Sequence, residues 1–180
     1  MSSGLARCFD TFRVSAFRLE TLNRYVVPAE DDRVAAFRNG LPLPERSVRT
    51  SPWLRRMARS TAAGKHWSRV HVVDRPPSEY VRFELVTYQE AAGAGEVIGI
   101  ADRRVHPALD YLRRDFWLFD AETDHPFAAL ISYDHDGEYI GAAVTTEPAV
   151  VMACRASRDL ARRHSVPLHV YLAELTAGVS

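Results

Sequence analysis

The chain has 180 residues, 47% of them apolar, and its 23 basic side chains balance 23 acidic ones. That length suits one domain with a sizeable core, and a zero net charge excludes a global field that would draw the protein to nucleic acid or an anionic membrane. Cys8 and Cys154 lie far apart without a CxxC spacing, so they read as buried thiols, not as a disulfide framework or a thiolate metal site.

No apolar run has signal-peptide character or approaches the ~18 residues of a membrane span, so a cytoplasmic protein is expected. The charges are segregated all the same: residues 41–80 hold eight Lys/Arg against three Asp/Glu, and residues 115–147 hold eight acids and no Lys or Arg. One face is expected to be basic and another acidic.

Residues 1–7 read as a frayed end, followed by an aromatic-rich opening with Phe9, Phe12 and Phe17, a short helix and then an extended AFRLET segment docked on the core. Pro28 with acids behind it starts a helix that Asn39-Gly40 stops. Three prolines between 41 and 52 mark an irregular arm, and Ser51-Pro52 caps a helix that Gly64 ends. Domain organisation follows: an N-terminal segment and arm over 1–50, an α/β core over 51–168 and a tail over 169–180.

The stretch 66–104 carries the clearest pattern. A β-branched run over 67–73, a proline-containing loop, helical periodicity over 79–92 and a second apolar run over 97–101 spell strand, helix, strand. Such a unit implies a parallel pair with a right-handed crossover, hence an α/β fold with a mixed sheet. The segment VHPALDYL reads as one helical turn at most. Phe116–Phe119 is an apolar run, and the runs 127–133 and 139–144 flank Asp134-His135-Asp136-Gly137 as a C-terminal β-hairpin. Pro148 opens a last helix through about His164, which Pro167 stops.

The segments AFRLETL, RVHVVD with SEYVRFEL, GEVIGIADR and DFWLFD with YDHDGEYIGA together resemble an actinobacterial domain family of unknown function, of the Streptomyces type, encoded beside helix-turn-helix regulators. The likeness spans residues 9–168. It implies a regulatory setting and no particular chemistry. More remotely, the β-α-β core, the FWLFD strand and the final helix resemble half of a phospholipase D-like domain. Catalytic members of that superfamily carry a His-x-Lys-x4-Asp signature; with Asp120 on the motif aspartate, Arg113 and Asp115 stand where the histidine and lysine would be. Phosphodiesterase chemistry is therefore not carried over.

On the helix from Glu79, successive ~100° steps put Tyr80, Val81, Phe83, Thr87 and Tyr88 on the apolar side, with Glu84 among them. A carboxylate facing a core must be paired, hydrogen-bonded or protonated. The adjacent strand supplies Arg69 and His71 on one face, and Arg103 follows the second strand, so Arg69, His71, Glu84 and Arg103 are expected to cluster. The bland reading is an ion-pair network locking helix to sheet. The functional reading is a pocket for a polar or anionic ligand near the carboxyl ends of the strands, with His71 and Glu84 as the catalytic pair if there is chemistry.

Other signals are weaker. Gly93-Ala94-Gly95 ends a helix and so lacks phosphate-binding amides. The Asp134-x-Asp136-Gly137 turn has no distal glutamate for calcium, and His125 and His135 lack zinc spacing, so no metal and no cofactor are expected. Arg46, Arg49, Arg55, Arg56, Arg59 and Lys65, interleaved with Trp53 and Trp67, read as a solvated face, and nucleic acid is not expected as a partner. The expectation is a non-catalytic regulatory or ligand-binding module that works with a protein partner, such as a helix-turn-helix regulator, or as a homo-oligomer. The alternative is an enzyme acting on a small polar metabolite or phosphoester through His71, Glu84 and the arginines.

Overall fold

The structure, a computed structural model, describes residues 3–177. They form an α/β fold of six α-helices and one seven-stranded mixed sheet. The strands are β1 (Ser15–Glu20), β2 (His66–Val73), β3 (Glu96–Asp102), β4 (Phe116–Phe119), β5 (Phe127–Tyr133), β6 (Tyr139–Thr145) and β7 (Ser165–Pro167). They run in the order β6-β5-β4-β1-β2-β3-β7. The helices are α1 (Ser3–Thr11), α2 (Asp31–Arg38), α3 (Pro52–Ala62), α4 (Glu79–Gly93), α5 (Pro148–Arg163) and α6 (Leu168–Ala177).

The β2-α4-β3 unit lies where the periodicity puts it, and β2 and β3 pair in parallel from Trp67 opposite Glu96 to Val73 opposite Asp102. Ser78 caps α4 by accepting from the Val81 amide, and Ser51 caps α3 by accepting from Leu54. The β5-β6 hairpin turns at Gly137, whose φ of 90° a side chain would strain, while the Asp134 carboxylate accepts from the amides of Asp136 and Glu138. Pro107–Tyr111 is a short 3-10 turn.

Three segments differ from the sequence reading. Residues 3–7 are helical and Leu5 is buried; the expectation for residues 1 and 2 lies outside the described residues. The AFRLET segment is β1, a central strand parallel to β2 on one side and antiparallel to β4 on the other. Beyond Pro167 the chain forms α6, with Leu168 and Tyr171 buried, through Ala177; residues 178–180 lie outside the described residues.

The sheet separates two cores. Beneath it, Phe17, Leu19, Val70, Val72 and Leu118 meet α5 through Val151, Cys154 and Ala161. Above it, residues from α1, α3, α4 and α6 gather around Trp67, Trp117 and Phe119, and Phe9 makes edge contacts with Trp53, Trp117 and Phe119.

Candidate ligand-binding site

The strands that β-alternation gives two faces carry two chemistries. On β1, Phe17 and Leu19 point to the α5 side, so Arg18 and Glu20 point to the other; on β2, Arg69 and His71 share that upper face. The parallel register sets Arg18 opposite Arg69 and Glu20 opposite His71. Two guanidinium groups side by side in a core require carboxylates between them.

Those carboxylates form a chain. Asp115, just before β4, accepts from Arg18 Nη2 at 2.8 Å. Arg18 Nε reaches Glu20 at 3.4 Å, and Glu20 accepts from Arg69 Nη1 at 2.8 Å. Arg69 ends on Glu96 of β3, with Nε to Oε1 at 3.0 Å and Nη2 to Oε2 at 3.3 Å. Burial alone would raise Glu20, but Arg69 and Arg18 overcome it and hold its carboxyl down to about 2. Asp115 also accepts from the Thr21 amide and hydroxyl and from the Tyr25 hydroxyl, which anchors the end of the chain.

His71 and Glu84 sit beside this chain. The His71 ring is fully buried, and its Nε2–H donates to the Leu22 carbonyl at 2.8 Å. Its Nδ1 lies 2.8 Å from the Tyr88 hydroxyl, which itself donates to Glu20 at 2.8 Å. Glu84 Oε2 lies 3.4 Å from Nδ1 and has no hydrogen-bond partner among the described residues. Burial, and then the neighbouring Glu20 charge, push the Glu84 carboxyl well up, while burial lowers His71. Glu84 therefore holds its proton to higher pH than Glu20 does.

Arg69, His71 and Glu84 thus come together as the sequence suggested, and Arg103 does not join them. Its guanidinium donates to the carbonyls of Thr21 and Leu112 and pairs with Asp74 at 3.3 Å, tying the loops at the strand ends. The reason is register: β3 continues only to Asp102, and Arg103 leaves the sheet in the following turn. Arg18, Glu20, Tyr88, Glu96 and Asp115 were not singled out from the sequence. The i, i+2 spacing of Arg18 and Glu20 and the i, i+4 spacing of Glu84 and Tyr88 were the available signals.

Above the chain the sheet is not sealed. A cleft of about 530 Å³ has Arg18, Glu20, Arg69, Glu84 and Tyr88 in its lining, with Leu5, Phe9, Trp53, Trp117 and Ile131 toward α1, α3, β4 and β5. Tyr25, Tyr80, Tyr133, Glu30 and Glu138 line it as well. Arg18 Nη1, like Glu84 Oε2, is buried without a hydrogen-bond partner among the described residues. Glu20, His71 and Glu84 offer ligand atoms within 4.8 Å of one another, but Glu20 already accepts from two guanidinium groups and both His71 nitrogens are engaged. That donor set suits hydrogen bonding better than a metal ion.

The remaining expected residues serve the fold. Asp120, in the place of the phospholipase D motif aspartate, adopts φ 50° and accepts from the amides of Arg13, Val14 and Ser15. Asp115 is committed to Arg18, Thr21 and Tyr25. In the basic arm Arg46 pairs with Glu90, Arg49 with Glu45 and Arg56 with Asp10, and Lys65 donates to the Phe12 carbonyl.

No helix of the described residues is long and apolar enough to cross a membrane. Neither curated proteins nor solved structures give a match. A family match covers residues 3–173, and the chain belongs to that family, the domain of unknown function DUF6879.

Proposed function

We propose that the protein is a non-catalytic binding module whose upper cleft holds a small polar ligand, and that occupancy of the cleft is passed to a protein partner. The observation that carries this reading is the charged chain beneath an open cleft. Buried ion pairs add little stability over well-packed apolar residues, so the run of Asp115, Arg18, Glu20, Arg69 and Glu96 favours a role in recognition. A cleft of about 530 Å³ is of the size small-molecule sites have. Binding is favoured over catalysis by His71 because that ring is fully buried and is not among the residues that line the cleft, which leaves it out of reach of a substrate. The resemblance to domains encoded beside helix-turn-helix regulators supplies the partner class.

A thermal-shift screen against a metabolite library checks the reading, with Ala91→Phe as the control, since Ala91 on α4 lines the cleft. A subset of compounds is expected to raise the melting temperature of the native chain and not of the variant. If no compound shifts the native chain, or the hits shift both proteins equally, the cleft is not a ligand site.

A further inference from the structure

The charge balance of the lining narrows the ligand class. Each lining guanidinium already has its carboxylate: Arg18 has Asp115 and Glu20, Arg69 has Glu20 and Glu96, and Arg46 has Glu90. Among the described residues, the lining carboxylates Glu30, Glu84 and Glu138 make no ion pair with Arg or Lys. Among the described residues the Glu30 carboxylate accepts only from the Tyr80 hydroxyl, at 3.1 Å. Glu84, 7% exposed, leaves Oε2 without a hydrogen bond. Glu30 and Glu138 therefore leave an acidic surplus in the cleft, and Glu84 adds a buried carboxyl whose Oε2 has no partner among the described residues.

The walls fit that surplus. Five of the seven tyrosines in the chain line the cleft, and Tyr25 stands 6.1 Å from Tyr80 and 5.2 Å from Tyr133, ring centroid to centroid. Aromatic faces attract a cation within about 6 Å of the centroid. The cleft lining itself already holds such contacts, with Arg69 over Tyr88 at 4.9 Å and Arg18 over Trp117 at 5.7 Å.

Building on the small-ligand reading above, we propose that the tyrosine-lined part of the cleft, with Glu30, Glu84 and Glu138, binds an organic ammonium whose apolar body lies against Phe9, Trp53 and Trp117. The tyrosine rings replace the water that an alkylammonium holds weakly, and the Glu30 and Glu138 carboxylates supply the counter-charge. The apolar end gives the body of the ligand its own contacts, so that charge and shape are read separately.

Titration with three probes of one ring size tests it, followed by the fluorescence of the tryptophans lining the cleft and by calorimetry. Benzyltrimethylammonium is expected to bind at least about tenfold more tightly than neutral benzyl alcohol or anionic benzoate. Glu30→Gln and Glu138→Gln are each expected to weaken the ammonium about tenfold or less without changing benzyl alcohol. Glu30 is half-exposed and Glu138 exposed, so both variants are expected to fold as the native chain does. Equal or tighter binding of benzyl alcohol or benzoate overturns the ammonium assignment and leaves the small-ligand reading standing. No binding of any of the three also overturns it, and the library screen then decides the broader reading.

Discussion

The two faces of the sheet are made by the same strands and could hardly differ more. On β1, Phe17 and Leu19 face α5 while Arg18 and Glu20 face the cleft, and on β2 the alternation is Val70 and Val72 against Arg69 and His71. One helix, α5, closes the lower face with Val151, Cys154 and Ala161. The upper face draws on α1, α3, α4 and α6 and still leaves a cleft. Apolar side chains bury by simple contact, whereas a row of charges needs partners in fixed geometry. Burial below therefore needs only contact, whereas burial above needs a partner for each charge.

The largest effect should come from cutting the charged chain in its middle. Arg69→Leu leaves Glu20 with one guanidinium and Glu96 with none, and the loss expected for an uncompensated buried charge is about 3–5 kcal/mol. Denaturant unfolding measures it, and adding Glu96→Gln should restore part of the loss. A cost near zero would show that the upper face does not depend on its charges.

Acid should break the same face and spare the other. Glu20 has a folded value of about 2 against an ordinary 4.5, so its contribution is present above pH 4.5 and is lost as pH falls through 2. That contribution is on the order of 3 kcal/mol, because each tenfold change in proton affinity between the folded and unfolded chain is worth ~1.4 kcal/mol. Unfolding curves between pH 5 and 2 should show the fall in the native chain and a flatter slope in Glu20→Gln. An equal slope in both would assign the acid sensitivity elsewhere.

The lower face supplies the contrast. Val72→Ala removes two methyl groups from a fully buried site, which should cost about 2 kcal/mol. Because the change removes no charge, the cost should be constant from pH 3 to 8. A cost that varied with pH would mean that the two faces are coupled through β2.

Most of the architecture was legible because it rests on local signals. The cap at Ser51, the helix α4 and the Asp134–Gly137 turn each follow from residues within a few positions of one another. The placement of β1 did not follow, since SAFRLE has too few residues to show whether both of its faces are buried, and its neighbours are about 50 and about 100 residues away in sequence. With β1 taken as a docked segment, Arg18 and Glu20 had no reason to meet Arg69. Glu84 announced itself because an acid on an apolar helix face is a local contradiction. Arg103 misled for the opposite reason: proximity in sequence to β3 said nothing about the turn that carries it off the sheet.

Glu84 offers the smallest effect and the sharpest one. It faces Glu20 from β1, Arg69 and His71 from β2, Tyr80 and Tyr88 on its own helix, and Glu30 from the 3-10 turn before α2. Burial and then Glu20 raise its carboxyl well above the ordinary 4.5, so the folded state holds a proton that the unfolded chain releases as pH rises past that value. Stability must then decline with rising pH until the folded group ionises. Glutamine keeps the shape and cannot ionise. At pH 4, where glutamic acid is largely neutral in either state, Glu84→Gln should change stability by under about 1 kcal/mol. From pH 5 to 8 the variant should become progressively more stable than the native chain. The expected sign is opposite to that of Glu20→Gln, although Tyr88 touches both carboxylates' surroundings and the two groups share one cleft. A Glu84→Gln variant that lost stability with rising pH as steeply as the native chain would mean that Glu84 is ionised in the fold, with His71 carrying the proton instead.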